Sequence, residues 1–188
     1  PSPRSVSVGV AKKISNFVNG RVPIVGVFVN ENIQVIQSIM STVNLDFLQL
    51  HGDESPQYCE QFKIPIIKVF RVDSKFNKSQ LFDYKVSAFL FDTYKKGLPG
   101  GTGDHFDWEI ISDLKIKTPI ILSGGLTPYN ILSGVETVSP SAVDVNSGIE
   151  NCPGEKNQEQ LIQLFNKIGI VGEDENIFQK IKSESLNV

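Results

Sequence analysis

The sequence is poor in the residues that mark several large classes of protein. It holds two cysteines and two histidines in 188 residues. Cys59 and Cys152 form no metal-binding or redox spacing, so a reduced, cytoplasmic setting is the default. His51 and His105 are too few for a metal site that draws histidines from several strands. No apolar run approaches the roughly 18 residues needed to span a bilayer. The first ten residues are too polar for a secretory signal, although their serines, arginine and lack of acids faintly resemble a transit peptide. The net charge is −3 and no basic stripe occurs. Neither nucleic acid nor an anionic membrane is therefore expected as a partner.

What is present is an ordinary globular composition, 40% hydrophobic and 21% charged, in a chain long enough for one well-packed domain. Short apolar, β-branched runs recur at Ile24–Val29, Phe47–Leu50, Ile66–Val72, Ala88–Phe91, Pro119–Leu122 and Ala142–Val145. Near-continuous apolar strands are those covered on both faces. Helix-period segments lie between them, one marked by Ile33, Ile36, Ile39, Met40 and Val43, another by Leu161, Leu164, Phe165 and Ile168. Ser55-Pro56 and Thr127-Pro128 each set a capping hydroxyl before a proline suited to the first helical position, and Asp107 is a candidate cap for a helix from Trp108. The pattern reads as a helix over about Ser7–Val18 followed by six βα units. Strands alternating with helices predict an α/β fold with a parallel sheet. An open dinucleotide-binding sheet would want G-x-G-x-x-G after its first strand, where Val29-Asn30-Glu31-Asn32 stands instead. A TIM (β/α)8 barrel is the better reading.

The strand ends carry the chemistry. In order they present Asn30; Gln49 and His51; Arg71; Asp92; Ser123-Gly124-Gly125; and Asp144 to Gly148. The C-terminal face of a β/α barrel is where active sites form, and the loops after its seventh and eighth strands frequently bind phosphate through backbone N–H groups. If the two glycine-bearing ends are those loops, the strands here are numbers three to eight. Each feature has a plainer reading beside this one. Glycines after strands are often only turns. Asp92 can cap a turn or pair with Lys95 or Lys96. Arg71 can be a surface ion pair, and His51 a hydrogen-bonded structural residue. Cys59 reads as helix packing and Cys152 as incidental to a Pro-Gly loop.

Taken together, "PSPRSVS" (1–7), "GVFVN" (26–30), "LQLHGDESPQYC" (48–59), "FDTYKKGLPGGTGDHFDW" (91–108), "ILSGGLTPYNI" (121–131) and "VDVNSGIENCPGEKN" (143–157) resemble the phosphoribosylanthranilate isomerases, in order, over roughly Pro1 to Ile168. The resemblance implies a single-domain barrel over 1–168 and an Amadori rearrangement of N-(5-phosphoribosyl)anthranilate in tryptophan biosynthesis, with no metal or organic cofactor. It implies Asp92 as general acid, which desolvation at the mouth of an apolar barrel would help keep protonated. It further implies Gly124, Gly125, Ser147 and Gly148 as the phosphate site, Asp144 on a sugar hydroxyl, Arg4 on the anthranilate carboxylate, and Pro99–Gly103 as a loop beside the site. A monomer or homodimer is expected.

Three departures stand out. The family's general-base cysteine, in a Cys-Gly motif on its first strand, has no counterpart. A strand, a helix and a strand are expected to be missing ahead of residue 1, and a chain so shortened should be inactive, with unpaired edges at Ile24–Val29 and Ala142–Val145. Asp104-His105 stand where Lys-Thr is common. Asn146 stands where serine is common. Residues 169–188 read as an extra helix or a disordered end. Two alternatives remain: a non-catalytic, phosphate-binding barrel remnant, or another sugar-phosphate barrel enzyme. Against the latter, Lys68 sits mid-strand, poorly placed for a synthase's catalytic lysine, and histidines for a metal-dependent epimerase are scarce.

Overall fold

The structure is a computed structural model, and it describes residues 2–93 and 107–169. Strands β1 (Val25–Phe28), β2 (Phe47–Leu50), β3 (Ile66–Val72), β4 (Ala88–Thr93), β5 (Ile120–Leu122) and β6 (Ala142–Val143) follow one another in the sheet in sequence order. The pairings resolved are parallel: β1 with β2 through Val25↔Phe47, β2 with β3 through Leu48↔Ile66, β4 with β5 through Phe89↔Ile120, and β5 with β6 through Ile121↔Ala142. Helices α1 (Val8–Val18), α2 (Ile33–Met40), α3 (Pro56–Cys59), α4 (Glu109–Ser112), α5 (Ile131–Val138) and α6 (Gln158–Ile168) alternate with the strands. This is an α/β fold of the β/α-barrel kind, as the alternation predicts. Two elements depart from it. The connection from β3 to β4 carries only a 3-10 turn, Lys78–Asp83, and after β6 comes a hairpin of β7 (Glu150–Cys152) and β8 (Glu155–Lys156) that apolar patterning could not flag, since both arms are short and polar.

The chain divides into two compact units: among the described residues the first holds 2–69 and 79–88, and the second holds 70–78, 89–93 and 107–169. In the first, Ile36, Leu48, Leu50, Cys59 and Ile66 form a buried cluster with Phe28, Met40, Leu45, Tyr58, Phe62, Ile64, Tyr84 and Val86 packed on it. In the second, Phe70, Phe76, Phe89 and Phe91 interlock edge to face or tilted, with ring centroids 5.6 to 6.3 Å apart across the Phe70 and Phe76 pairs. Those that are fully buried, such as Leu48, Leu50 and Phe91, each contribute about 1.5–3 kcal/mol.

Local signals explain the helix boundaries. Ser7, Asn32, Ser55 and Asn157 each accept an N–H from the first turn of α1, α2, α3 and α6. Pro56 takes the first helical position of α3, where its missing N–H is harmless. Ahead of α5, Thr127 Oγ1 accepts from Tyr129 N–H at 3.2 Å while Asn130 Oδ1 accepts from Thr127 N–H at 2.8 Å. This reciprocal pair of the capping-box type closes a turn over 128–130, and regular helix begins at Ile131, later than the expected start at Thr127-Pro128. Asp107 Oδ1 accepts from Glu109 N–H at 3.1 Å at the start of α4. The proposed tail from 169 falls, after Gly169, outside the described residues, as do Pro99–Gly103, Asp104, His105, Lys95 and Lys96.

Candidate functional site

In the first unit the residues after β1 and β2 are held by side chains. Asn30, two positions past β1, has a left-handed backbone with φ 49°. Its Oδ1 accepts from Asp53 N–H at 2.7 Å. Glu54 Oε1 accepts from Asn30 N–H at 2.8 Å, and its Oε2 accepts from Gly52 N–H at 2.9 Å. The Lys68 ammonium, from the middle of β3, donates to Glu54 Oε2 at 2.9 Å and to the Gly52 carbonyl at 2.7 Å. Both side chains are buried, 2% and 1% exposed. Burial pushes the Glu54 carboxyl up, but the Asn30 amide and the Lys68 ammonium together outweigh it and leave the group below the ordinary glutamate value. Gln49 is buried within β2, its Nε2 3.3 Å from His51 Nδ1 just past the strand end. Arg4 lies in a turn ahead of α1, its backbone N–H donating to Ser2 Oγ.

Sequence reasoning missed the Lys68–Glu54 pair. Lys68 was set aside as poorly placed for catalysis, yet a lysine inside Ile66-Ile67-Lys68-Val69-Phe70 cannot be buried without a partner. Of the two acids that follow the preceding strand, Asp53 and Glu54, the second is the partner.

In the second unit glycine takes over. Asp92 lies within β4, half-buried, and its Oδ1 accepts from Thr93 N–H at 2.8 Å. Gly124, after β5, has φ 83°, and a Cβ there would collide with Thr93 N and Oγ1 and come within 2.7 Å of Asp92 Oδ1. Glycine is thus required twice, by backbone and by space, and its absence of a side chain is what brings the β5 loop against the carboxylate. Gly125 is also left-handed, at φ 71°. Gly148, after β6, sits so close to Leu126 that a Cβ would overlap the Leu126 carbonyl oxygen. The loops after β5 and β6 are therefore in direct contact. Among the described residues, the backbone N–H groups of Gly124, Gly125, Ser147 and Gly148 meet no protein acceptor. Thr93 Oγ1 is buried beside them with no partner among the described residues. Ser123 is buried and donates to Asp144 Oδ2 at 3.4 Å, while Asp144 N–H extends the ladder to Leu122 O. Arg71 is exposed near the end of β3.

The structure thus brings Asp92, Ser123, Gly124, Gly125, Asp144, Ser147 and Gly148 to successive strand ends of one unit. A carboxyl group beside glycine turns with free N–H donors can exchange a proton with a ligand whose anionic group is held by those donors. The two cysteines have other surroundings. Cys59 is buried in α3, and burial pushes its thiol up to about 11. Cys152 is exposed at the end of β7. Among the described residues, no three His, Cys, Asp or Glu side chains gather as a metal site would need, and no helix is long and apolar enough to cross a membrane.

Parallel strands in sequential order, with polar and glycine-rich residues at their C-terminal ends, define an enzyme of the β/α-barrel class. The family described as N-(5'phosphoribosyl)anthranilate (PRA) isomerase matches residues 1–167, and the chain belongs to it. It is 41% identical over 164 residues to the N-(5'-phosphoribosyl)anthranilate isomerase of Citrifermentans bemidjiense, covering 87% of this chain and 80% of that one. It is 38% identical over 166 residues to that of Syntrophomonas wolfei, covering 88% and 81%. Among solved structures, the phosphoribosyl anthranilate isomerase from Thermus thermophilus superposes with a TM-score of 0.80 at 30% identity, covering 91% of this chain and 84% of that one. A phosphoribosyl anthranilate isomerase in complex with reduced 1-(o-carboxyphenylamino)-1-deoxyribulose 5-phosphate superposes at 0.73 with 31% identity, covering 90% and 83%. The resemblance stated from the sequence motifs therefore holds. The protein is a phosphoribosylanthranilate isomerase of tryptophan biosynthesis.

Proposed function

We propose that in this isomerase Asp92 is the general acid and that the glycine turns after β5 and β6 receive the substrate phosphate. The substrate is N-(5-phosphoribosyl)anthranilate, and no metal or organic cofactor is required for its chemistry. Proton transfer from the Asp92 carboxyl to the furanose ring oxygen lets the ring C–O bond break and an iminium form. Removal of the proton on the neighbouring carbon gives an enolamine, and its tautomerisation gives 1-(2-carboxyphenylamino)-1-deoxyribulose 5-phosphate. Asp144, tied to Ser123, is suited to a sugar hydroxyl. The Arg4 guanidinium is suited to the anthranilate carboxylate, for which its planar fork is shaped. We read β1 to β6 as strands three to eight of an eight-stranded barrel, because the two glycine turns then fall on the loops that commonly bind phosphate. The proton-abstracting group is assigned to neither Cys59 nor Cys152.

The observation that carries this reading is the seat of the Asp92 carboxylate, 2.7 Å from where a Gly124 side chain would begin. The reacting acid and an anion-receiving turn are then neighbours, as a substrate with its phosphate near its reactive ring demands. In the full-length protein, Asp92→Asn keeps the shape and removes the proton. Turnover, followed by the loss of substrate fluorescence, should fall about 10²-fold or more while competitive inhibition by inorganic phosphate stays near wild type. Near-normal turnover would assign the acid to another group. Turnover absent from the wild type, with phosphate still bound, would favour a phosphate-binding protein without catalysis.

A further inference from the structure

The hairpin after β6 holds a cation that the reaction scheme does not use. Lys156, on β8, donates from Nζ to the Asn146 carbonyl at 2.9 Å and to Asn146 Oδ1 at 2.6 Å. Its third proton goes to Glu150 Oε1 at 3.1 Å. All three ammonium donors are thereby committed, two of them to the residue immediately before Ser147-Gly148. Glu150, its side chain only 4% exposed, is fixed in turn by Gly154 N–H at 3.3 Å. The other end of the strap is tied as well. Asn157 N–H donates to the Ile149 carbonyl at 2.8 Å while Asn157 Oδ1 caps α6.

We propose that Lys156 is a positioning residue for the phosphate loop: it clamps Asn146 from behind, so that the Ser147 and Gly148 N–H groups stay aimed outward, and it neutralises Glu150, whose carboxylate would otherwise repel a phosphate three residues away. This rests on the assignment of the loop to the substrate phosphate given above. A ready-made anion site needs its backbone held before the ligand arrives, since ordering it afterwards subtracts from affinity. Nothing in this role touches the reacting atoms, so its removal acts on binding and not on the proton transfers.

The test is kinetic, on the full-length protein. Lys156→Met should raise the KM for phosphoribosylanthranilate and weaken competitive inhibition by inorganic phosphate, each by about tenfold, the size of one lost charge-assisted hydrogen bond. The fall in kcat should be far smaller than the rise in KM. Lys156→Arg should restore most of both. Glu150→Gln combined with Lys156→Met removes the negative charge and leaves the clamp broken, so it should recover only part of the loss. Asn146→Ala, which keeps the carbonyl and deletes Oδ1, should shift KM the same way by less, and it serves if Lys156→Met does not fold. Wild-type KM and phosphate inhibition in these variants would overturn the proposal, as would a fall in kcat equal to the fall in kcat/KM. Wild-type protein indifferent to phosphate would instead sink the loop assignment, and the role of Lys156 with it.

Discussion

Around Asn30, Gly52 and Glu54 in the first unit, backbone donors are consumed by side chains. Around Gly124, Gly125, Ser147 and Gly148 in the second, they are left open because side chains are missing or turned to other work. The first arrangement uses a buried Lys–Glu pair with every partner inside the protein. The second uses glycine at close approach, with Lys156 behind the loop and not in it. Charge in the first unit is therefore structural. In the second, the Asp92 carboxylate lies beside the open donors of the glycine turn. On the proposed assignment, the same type of strand end serves rigidity in one unit and recognition in the other.

The hardest blow to that contrast is Lys68→Met. It leaves the Glu54 carboxylate buried with two amide donors and no cation, and breaking a buried pair from one side costs about 3–5 kcal/mol. Urea unfolding should show that loss as a lower midpoint with little change in slope. In whatever fraction stays folded, inhibition by inorganic phosphate should be close to wild type, because the pair lies in the other unit. Loss of phosphate affinity in folded protein without loss of stability would mean the pair belongs to the ligand site.

Gly148→Ala probes the opposite end of the comparison. The added methyl must displace the Leu126 carbonyl, so the β5 and β6 loops have to part. Overpacking of this kind costs about 1–3 kcal/mol of stability. Its larger effect should be on function: KM and phosphate inhibition should worsen by more than in Lys156→Met, since the donors themselves move. A variant with native KM would show that the contact of the two loops has no part in holding phosphate.

What the sequence disclosed follows the same division. β2 and β3 begin and end where their apolar runs do, because both faces are buried and the pattern has sharp edges. β6 shrinks from four expected residues to two, although the Asp144 N–H still reaches the Leu122 carbonyl beyond the strand's end. Asp92, Gly124 and Gly148 were readable as strand-end residues. Their mutual contact was not, because 24 residues separate the two glycines and only the folded backbone brings Gly148 onto Leu126. The hairpin and its Lys156 clamp were invisible for a different reason. Glu150, Asn151, Glu155 and Lys156 look like an ordinary solvated loop until pairing sets Glu150 opposite Lys156. The family resemblance supplied roles for the glycines and for Asp92, but the internal partners of Glu54 and Lys68 had to come from geometry.

The smallest effect expected is in the acid dependence of stability. The Glu54 carboxyl is lowered in the folded state because the Asn30 amide and the Lys68 ammonium outweigh the opposing effect of burial. A depressed carboxyl stabilises the fold fully above its unfolded value, near 4.5, and that contribution is lost as pH falls from there through the folded value. Between about pH 5 and pH 3.5 the urea midpoint should therefore drop more steeply for the wild type than for Glu54→Gln/Lys68→Met, which replaces the pair with neutral side chains of similar size. Above about pH 5 the pair's charge state is constant and the two midpoints should run parallel. Identical slopes on the acid side would show that the pair contributes nothing to the pH dependence, and the structural charge of the first unit would then have to be sought in other carboxylates.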